Sequence, residues 1–212
     1  MKNNNIMSFV KRYLIFFLAA ALLVSTVLVG SVFGKYTSKK DQNINITVEA
    51  YGEIDLGLRD GQTATDWTAK NDLYIAPGAT LAFDPYVYVG ANSETCYLFV
   101  KIDENPNAIK VGGNDVLSYS VASGWTQGDG TSIPANVYYR TVNKNSNGQY
   151  FQVIANNNVK VTEDITEAML NGLTNDTKPQ IILSAYAVQI TNLTDPDRDN
   201  TTPEGAWAWM NP

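Results

Sequence analysis

Three groups of side chains in this sequence have the types and spacing to do chemistry. Asp195, Asp197 and Asp199 set carboxylates at alternate positions, as the start of a calcium-binding loop does. The place where such a loop turns on glycine is held by Asn200, and the place of its bidentate glutamate by Ala206. The expectation is therefore a solvated acidic loop, with weak calcium binding aided by Glu204 as the alternative. The neighbouring acids Asp103-Glu104 and Glu163-Asp164 are of the residue type that glycosidases use in pairs. Adjacent carboxylates rarely face each other across a substrate, so solvated surface is expected for both. The aromatic group is Trp67, Trp125, Trp207 and Trp209 with Tyr138, Tyr139 and Tyr150. Such rings can stack on sugars but more often fill cores and interfaces. Trp207 and Trp209 fall on opposite sides of a helix, so they cannot be buried alike.

What is missing narrows the chemistry further. The chain has no histidine, which removes the usual proton shuttle near neutral pH, Ser-His-Asp and Cys-His catalysis, and HExxH zinc sites. The one cysteine, Cys96, can form no intramolecular disulfide. It alternates in phase with Leu98, Val100 and Ile102, the pattern of a small buried hydrophobe. The expectation is a protein that is not an enzyme and needs no cofactor or structural metal.

These groups must be positioned by a chain of 212 residues, of which 44% are hydrophobic and 17% charged, enough for one domain with a core. Its first 34 residues carry only positive charge (Lys2, Lys11 and Arg12), and Tyr13 to Gly34 carries none. A basic start, a long apolar run and small residues up to Gly34 describe a secretory signal peptide, residues 1–34. The run is also long enough to be retained as a membrane anchor. Without those three residues the 15 basic side chains fall to 12 against 21 acidic ones, a net charge of −9. Nucleic acid is excluded as a partner on that balance, because phosphate binding needs clustered Lys and Arg.

Residues 35–212 read as a single β domain. Ile44, Ile46, Val48 and Ala50 alternate with polar neighbours, which marks a half-buried strand. Further strands are expected at 53–58, 72–76, 79–90, 96–102, 115–122, 136–142, 149–155 and 180–190. Turn signals separate them, among them Pro77-Gly78, Gly112-Gly113 and Gly124 to Gly130. Pro85 predicts an edge or a bulge within 79–90. Short strands at this spacing suggest an antiparallel two-sheet sandwich. One short helix is expected over 162–172, capped by Thr162 and ended by Gly172. Another is expected near the C-terminus, after the capping box Thr201-Thr202-Pro203-Glu204.

The order of these features resembles a known family. After the long apolar run come Gly34-Lys35-Tyr36-Thr37-Ser38, Gly52-Glu53-Ile54-Asp55-Leu56 and Ile75-Ala76-Pro77-Gly78. A turn with Asn92, the strand Tyr97-Leu98-Phe99-Val100-Lys101-Ile102, Ser184-Ala185-Tyr186-Ala187-Val188-Gln189 and Ala206-Trp207 follow. The pattern is similar to the TasA/camelysin group of secreted bacterial proteins, which are processed by SipW-type signal peptidases. The resemblance implies an all-β jelly-roll of two antiparallel sheets, export, and a place in biofilm matrix fibres or at the cell surface. It implies signal peptidase, other copies of the chain and related matrix proteins as partners. It also implies that the N-terminal strand of one subunit can complete a sheet of the next. That makes Ile44, Ile46, Val48 and Ala50 the candidate donor strand; an ordinary first strand of the same subunit is the alternative. The peptidase activity described for the camelysin branch has no visible site here. A secreted module that binds glycan or another ligand is the competing expectation.

Overall fold

The structure is a computed structural model that describes residues 47–51, 54–62, 75–190 and 200–210. The expected signal segment, Ile44 and Ile46, Trp67, and the Asp195-Asp197-Asp199 run lie outside the described residues. In chain order the strands are β1 (Thr47–Tyr51), β2 (Leu56–Asp60), β3 (Thr80–Ala82), β4 (Pro85–Val89), β5 (Cys96–Glu104), β6 (Lys110–Val111) and β7 (Asn114–Asp115). They continue with β8 (Leu117–Ser118), β9 (Thr126–Gln127), β10 (Val137–Val142), β11 (Gln149–Gln152), β12 (Asn158–Val161) and β13 (Ile181–Gln189). Two helices, α1 (Glu167–Asn171) and α2 (Pro203–Met210), complete the described chain. It is predominantly β, built of the sheets β1-β13-β5-β10-β9, β11-β4-β2 and β3-β12-β8 and the small hairpin β6-β7, in which every described strand pair except β1–β13 is antiparallel.

The pair β5–β13 organises the rest. Nine residue pairs run in register from Ile181 opposite Glu104 to Gln189 opposite Cys96. Successive side chains point to opposite faces, and here both faces are apolar. Cys96, Leu98, Val100 and Ile102 enter the main core with Leu183, Ala185 and Ala187 of the partner strand. Phe99 and Val188 enter a second cluster on the other face. The register sets Ala185 beside Val100 and Ala187 beside Leu98. Val87, Val89 and Leu58 of the β11-β4-β2 sheet and Leu81, Val159 and Val161 of the β3-β12-β8 sheet close the main core from the other side. The second cluster is covered by α2. Its Trp207 lies 5.4 Å from the ring of Phe99 and 5.9 Å, edge-on, from Tyr186. Thr202 caps this helix by accepting from the Gly205 N–H at 3.1 Å. The Tyr97 hydroxyl holds the Thr201 carbonyl at 2.8 Å, and the Asn200 amide holds the Gln189 carbonyl at 2.7 Å.

Val48 and Ala50 lie in β1, which in the single chain pairs with β13, and the pairing is parallel: Val48 stands opposite Ala185 and Ala50 opposite Ala187. Several sequence expectations are corrected. The run 79–90 is two strands in different sheets, broken at Phe83-Asp84, and Pro85 opens the central strand of its sheet. A first residue is a place where its missing N–H removes no interior ladder bond, so neither edge nor bulge is needed. Arg59 and Asp60, beyond the strand expected at 53–58, extend β2 to pair with Tyr86 and Pro85. The expected strand 115–122 is only the short pieces β7 and β8 and a bridge at Val121. The helix expected over 162–172 shrinks to Glu167–Asn171, because the Thr162 backbone is already engaged with Val116 and Gly78. Thr166 is its cap instead.

The β5–β13 pairing makes one substitution diagnostic. Leu98→Ala should cost about 2–5 kcal/mol of unfolding free energy by urea denaturation, the range for removing a fully buried leucine. A loss under about 1 kcal/mol would show that this strand is not the centre of the core.

Candidate ligand groove at the end of the central strand

Beyond Ile102 the strand β5 changes character. Ile102 still faces the core, but Asp103 and Glu104 emerge beside the start of β10 and the chain that follows β8. The three segments form an open groove of about 450 Å³, lined by Ile102, Asp103, Glu104, Tyr119, Ala135, Asn136 and Tyr138. Deeper past Glu104, between β5 and the start of β13, lies a crevice of only about 10 Å³. That is room for a water molecule at most.

Asp103, Glu104, Tyr119 and Asn136 are held by one another and by the β5–β10 pairing behind them. The Ile102 N–H donates to the Asn136 carbonyl at 2.9 Å, which places the Asn136 side chain opposite Asp103. The Asn136 amide then donates to Asp103 Oδ1 at 2.8 Å, while Lys101 Nζ pairs with Asp103 Oδ2 at 2.9 Å. The Tyr119 hydroxyl donates to Glu104 Oε1 at 2.7 Å. Burial, that hydrogen bond and the negative charge of Glu104 together push the Tyr119 phenol far above its ordinary range, so it remains a donor at any working pH. Tyr138 packs its ring against the main core, and its hydroxyl has no hydrogen-bond partner among the described residues.

The loop between β9 and β10 delivers Ala135 and Asn136. Asp129 organises it: Oδ1 accepts from the N–H groups of Thr131, Ser132 and Ile133 at 2.9, 2.8 and 3.0 Å, and Oδ2 from the Thr131 hydroxyl at 2.5 Å. Ile133 anchors the loop in the second cluster. Gln127 donates to the Ala135 carbonyl at 2.8 Å. Gly128 is required by close approach, since a Cβ there would lie 2.3 Å from the Pro134 carbonyl oxygen.

The candidates from the sequence fare differently. Asp103 and Glu104 are brought into one groove with Tyr138, whereas Glu163 and Asp164 are exposed and apart from it. Among the described residues the aromatic side chains do not form one platform. Tyr139 and Trp209 pack against the second cluster, and Trp207 is buried within it. Tyr150 lies against Tyr88 at 4.9 Å. Trp125 donates to the Gln152 carbonyl at 2.7 Å and lies 5.5 Å from the Arg140 guanidinium, which also covers Phe151 at 4.3 Å. Burial lowers the Arg140 pKa. Cys96 is buried in the core, where desolvation pushes its thiol up to about 12. Tyr119 and Asn136 were not singled out from the sequence. Tyr119 sits in a polar stretch without clear periodicity, and only its position against Glu104 marks it. Among the described residues no group of His, Cys, Asp and Glu side chains is placed to hold a metal ion, and no helix is long and apolar enough to cross a membrane.

Comparison of the chain with protein-family models, with curated proteins and with solved structures returns no match.

The Asp129 turn yields a pH prediction. Its hydrogen bonds, that of the Thr131 hydroxyl foremost, hold the carboxyl well below the ordinary value of about 3.8. A carboxyl depressed by folding stabilises the folded state above its unfolded pKa, and that contribution is lost as pH falls through the folded value. Asp129→Asn should therefore lower the melting temperature at pH 7, and the gap to the parent protein should close on acidification below about pH 4. Melting curves followed by circular dichroism check this; a gap that does not change with pH would contradict it.

Proposed function

We propose that this chain is an exported bacterial protein whose β domain, a two-sheet sandwich of jelly-roll type, serves as a structural component of the extracellular matrix or cell surface. In this reading residues 1–34 direct export and are removed by signal peptidase. The domain acts by assembly and not by catalysis, and subunits join head to tail through the N-terminal strand. The resemblance of the ordered sequence motifs to the TasA/camelysin group supports export and the matrix role.

The observation that carries the assembly step is the position of β1. It is the edge strand of its sheet, it is five residues long, and its pairing to β13 is parallel, whereas every other strand pair is antiparallel among the described residues. Parallel pairs are slightly less stable per residue. An edge strand docks chiefly through backbone hydrogen bonds that any extended segment with suitable side chains can supply. A strand that leaves its own β13 and pairs with that of a neighbour forms a head-to-tail contact, which does not close and so grows a filament. Ile44, Ile46, Val48 and Ala50 are the proposed donor residues.

Electron microscopy tests this on residues 35–212 beside a version lacking residues 35–50. Filaments are expected only from the longer protein. Adding a peptide of residues 35–51 to the shorter one should raise its melting temperature without producing filaments, because a separate strand fills the edge but links nothing. Folded monomers from both proteins at high concentration would refute assembly through this strand.

A further inference from the structure

We propose that the groove of Ile102, Asp103, Glu104, Tyr119, Ala135, Asn136 and Tyr138 is a binding site for a neutral, hydroxyl-rich ligand, a segment of glycan chain. The inference stands on the groove alone and is independent of how the chain assembles.

Size comes first. About 450 Å³ lies within the range of roughly 300–1,000 Å³ that small-molecule sites occupy. The polar groups of the groove mix donors and acceptors. Tyr138 offers a hydroxyl that can donate and accept and has no partner among the described residues. Asn136 uses one amide hydrogen on Asp103 and keeps its carbonyl oxygen as an acceptor. Glu104 accepts from Tyr119 through Oε1 and keeps Oε2. Sugar hydroxyls each donate and accept, so they match a surface that alternates the two roles. A metal ion requires acceptors alone.

Charge supports the same choice. Asp103 is neutralised by Lys101, and nearby Asp115 by Lys110 at 2.7 Å. Glu104 is the one groove carboxylate without an ion pair among the described residues, and it is exposed, where solvent screens attraction to a cation. The ring of Tyr138 supplies an apolar face. It is backed by the main core on one side and borders the groove, so it is a rigid apolar surface beside polar groups. The C–H face of a sugar ring stacks on such a surface while its hydroxyls reach the carboxylate and the amide. The groove is also built in advance: the Asp129 turn, the β5–β10 ladder and the Tyr119–Glu104 bond hold its walls without a ligand, which lowers the cost of binding.

The test is a ¹H–¹⁵N NMR titration of the full-length chain with cellohexaose, laminarihexaose, maltohexaose and the hexamer of N-acetylglucosamine. Calcium chloride and Nα-acetyl-lysine amide serve as cation probes. At least one oligosaccharide should produce saturable shifts confined to the amides of residues 102–104, 119 and 135–138. Tyr138→Ala should weaken that binding about tenfold, the loss of a stacked ring, and Tyr138→Phe should weaken it less. Glu104→Gln, at an exposed position, should reduce sugar affinity without abolishing it and leave the fold intact. The proposal is overturned if none of the four sugars moves these amides, or if the shifts lie elsewhere on the surface. Shifts with the cation probes alone, abolished by Glu104→Gln, would also overturn it and make the groove a cation site.

Discussion

One strand pair carries this fold. With a single cysteine and no possible internal disulfide, the domain is held by packing, and β5 and β13 supply its longest continuous pairing. Because both of their faces are apolar, they cannot stand at a solvent boundary. One face demands the opposing strands β2, β4, β3 and β12, and the other demands the cover that α2 provides through Trp207. The register between the two strands then decides what lies at each end. At one end stand Cys96 and Gln189, beside the anchor of α2; at the other stand Glu104 and Ile181, beside the groove. A slip of one residue would turn Leu98, Val100 and Ile102 out of the core and remove Glu104 from its place beside Tyr119.

The same pair leaves β13 with one edge that only β1 occupies. The two sides of β13 differ: nine registered antiparallel pairs bind it to β5, and five parallel pairs bind β1 to it. The proposed site of exchange and the core are therefore separable. Losing β1 uncovers one edge of the five-stranded sheet while the nine-residue ladder behind it remains. The proposed assembly needs such a division, with an exchangeable edge on a body that stays folded. The groove lies on the far side of β5, toward β10, so an occupied groove and an occupied β13 edge do not compete for the same surface.

How far the sequence revealed this follows from the physics of each element. The long apolar strands were legible: the runs expected at 96–102, 136–142 and 180–190 match β5, β10 and β13 to within two residues at each end. The unequal fates of Trp207 and Trp209 were legible from helix geometry. Elements whose signals are weak or contested were not. β12 opens on the last of three asparagines, of which Asn156 and Asn157 take positive φ, and only Val159 and Val161 signal the strand. The helix expected from 162 failed because tertiary hydrogen bonds at Thr162 outweighed a local cap. The parallel sense of β1 has no local signature, since alternation fixes which face a residue takes but not the direction of its partner. The groove was half legible: Asp103-Glu104 was noticed, but Tyr119 and Asn136 reach it only through the pairing of distant segments.

In the proposed assembly β1 pairs with β13 of another copy. Thr47 and Ser184 are register partners across that pairing, and replacing both by cysteine changes side-chain size little. Neighbouring strands lie about 4.8 Å apart, within the span of a disulfide. Cys96 stays in place, since it is buried. The measurement is a non-reducing gel of the Thr47→Cys, Ser184→Cys protein, oxidised at high concentration after purification. Strand exchange predicts a ladder of covalent multimers that collapses on reduction. Oxidation that yields only internally closed monomers at every concentration would contradict the account and leave β1 as the first strand of its own domain.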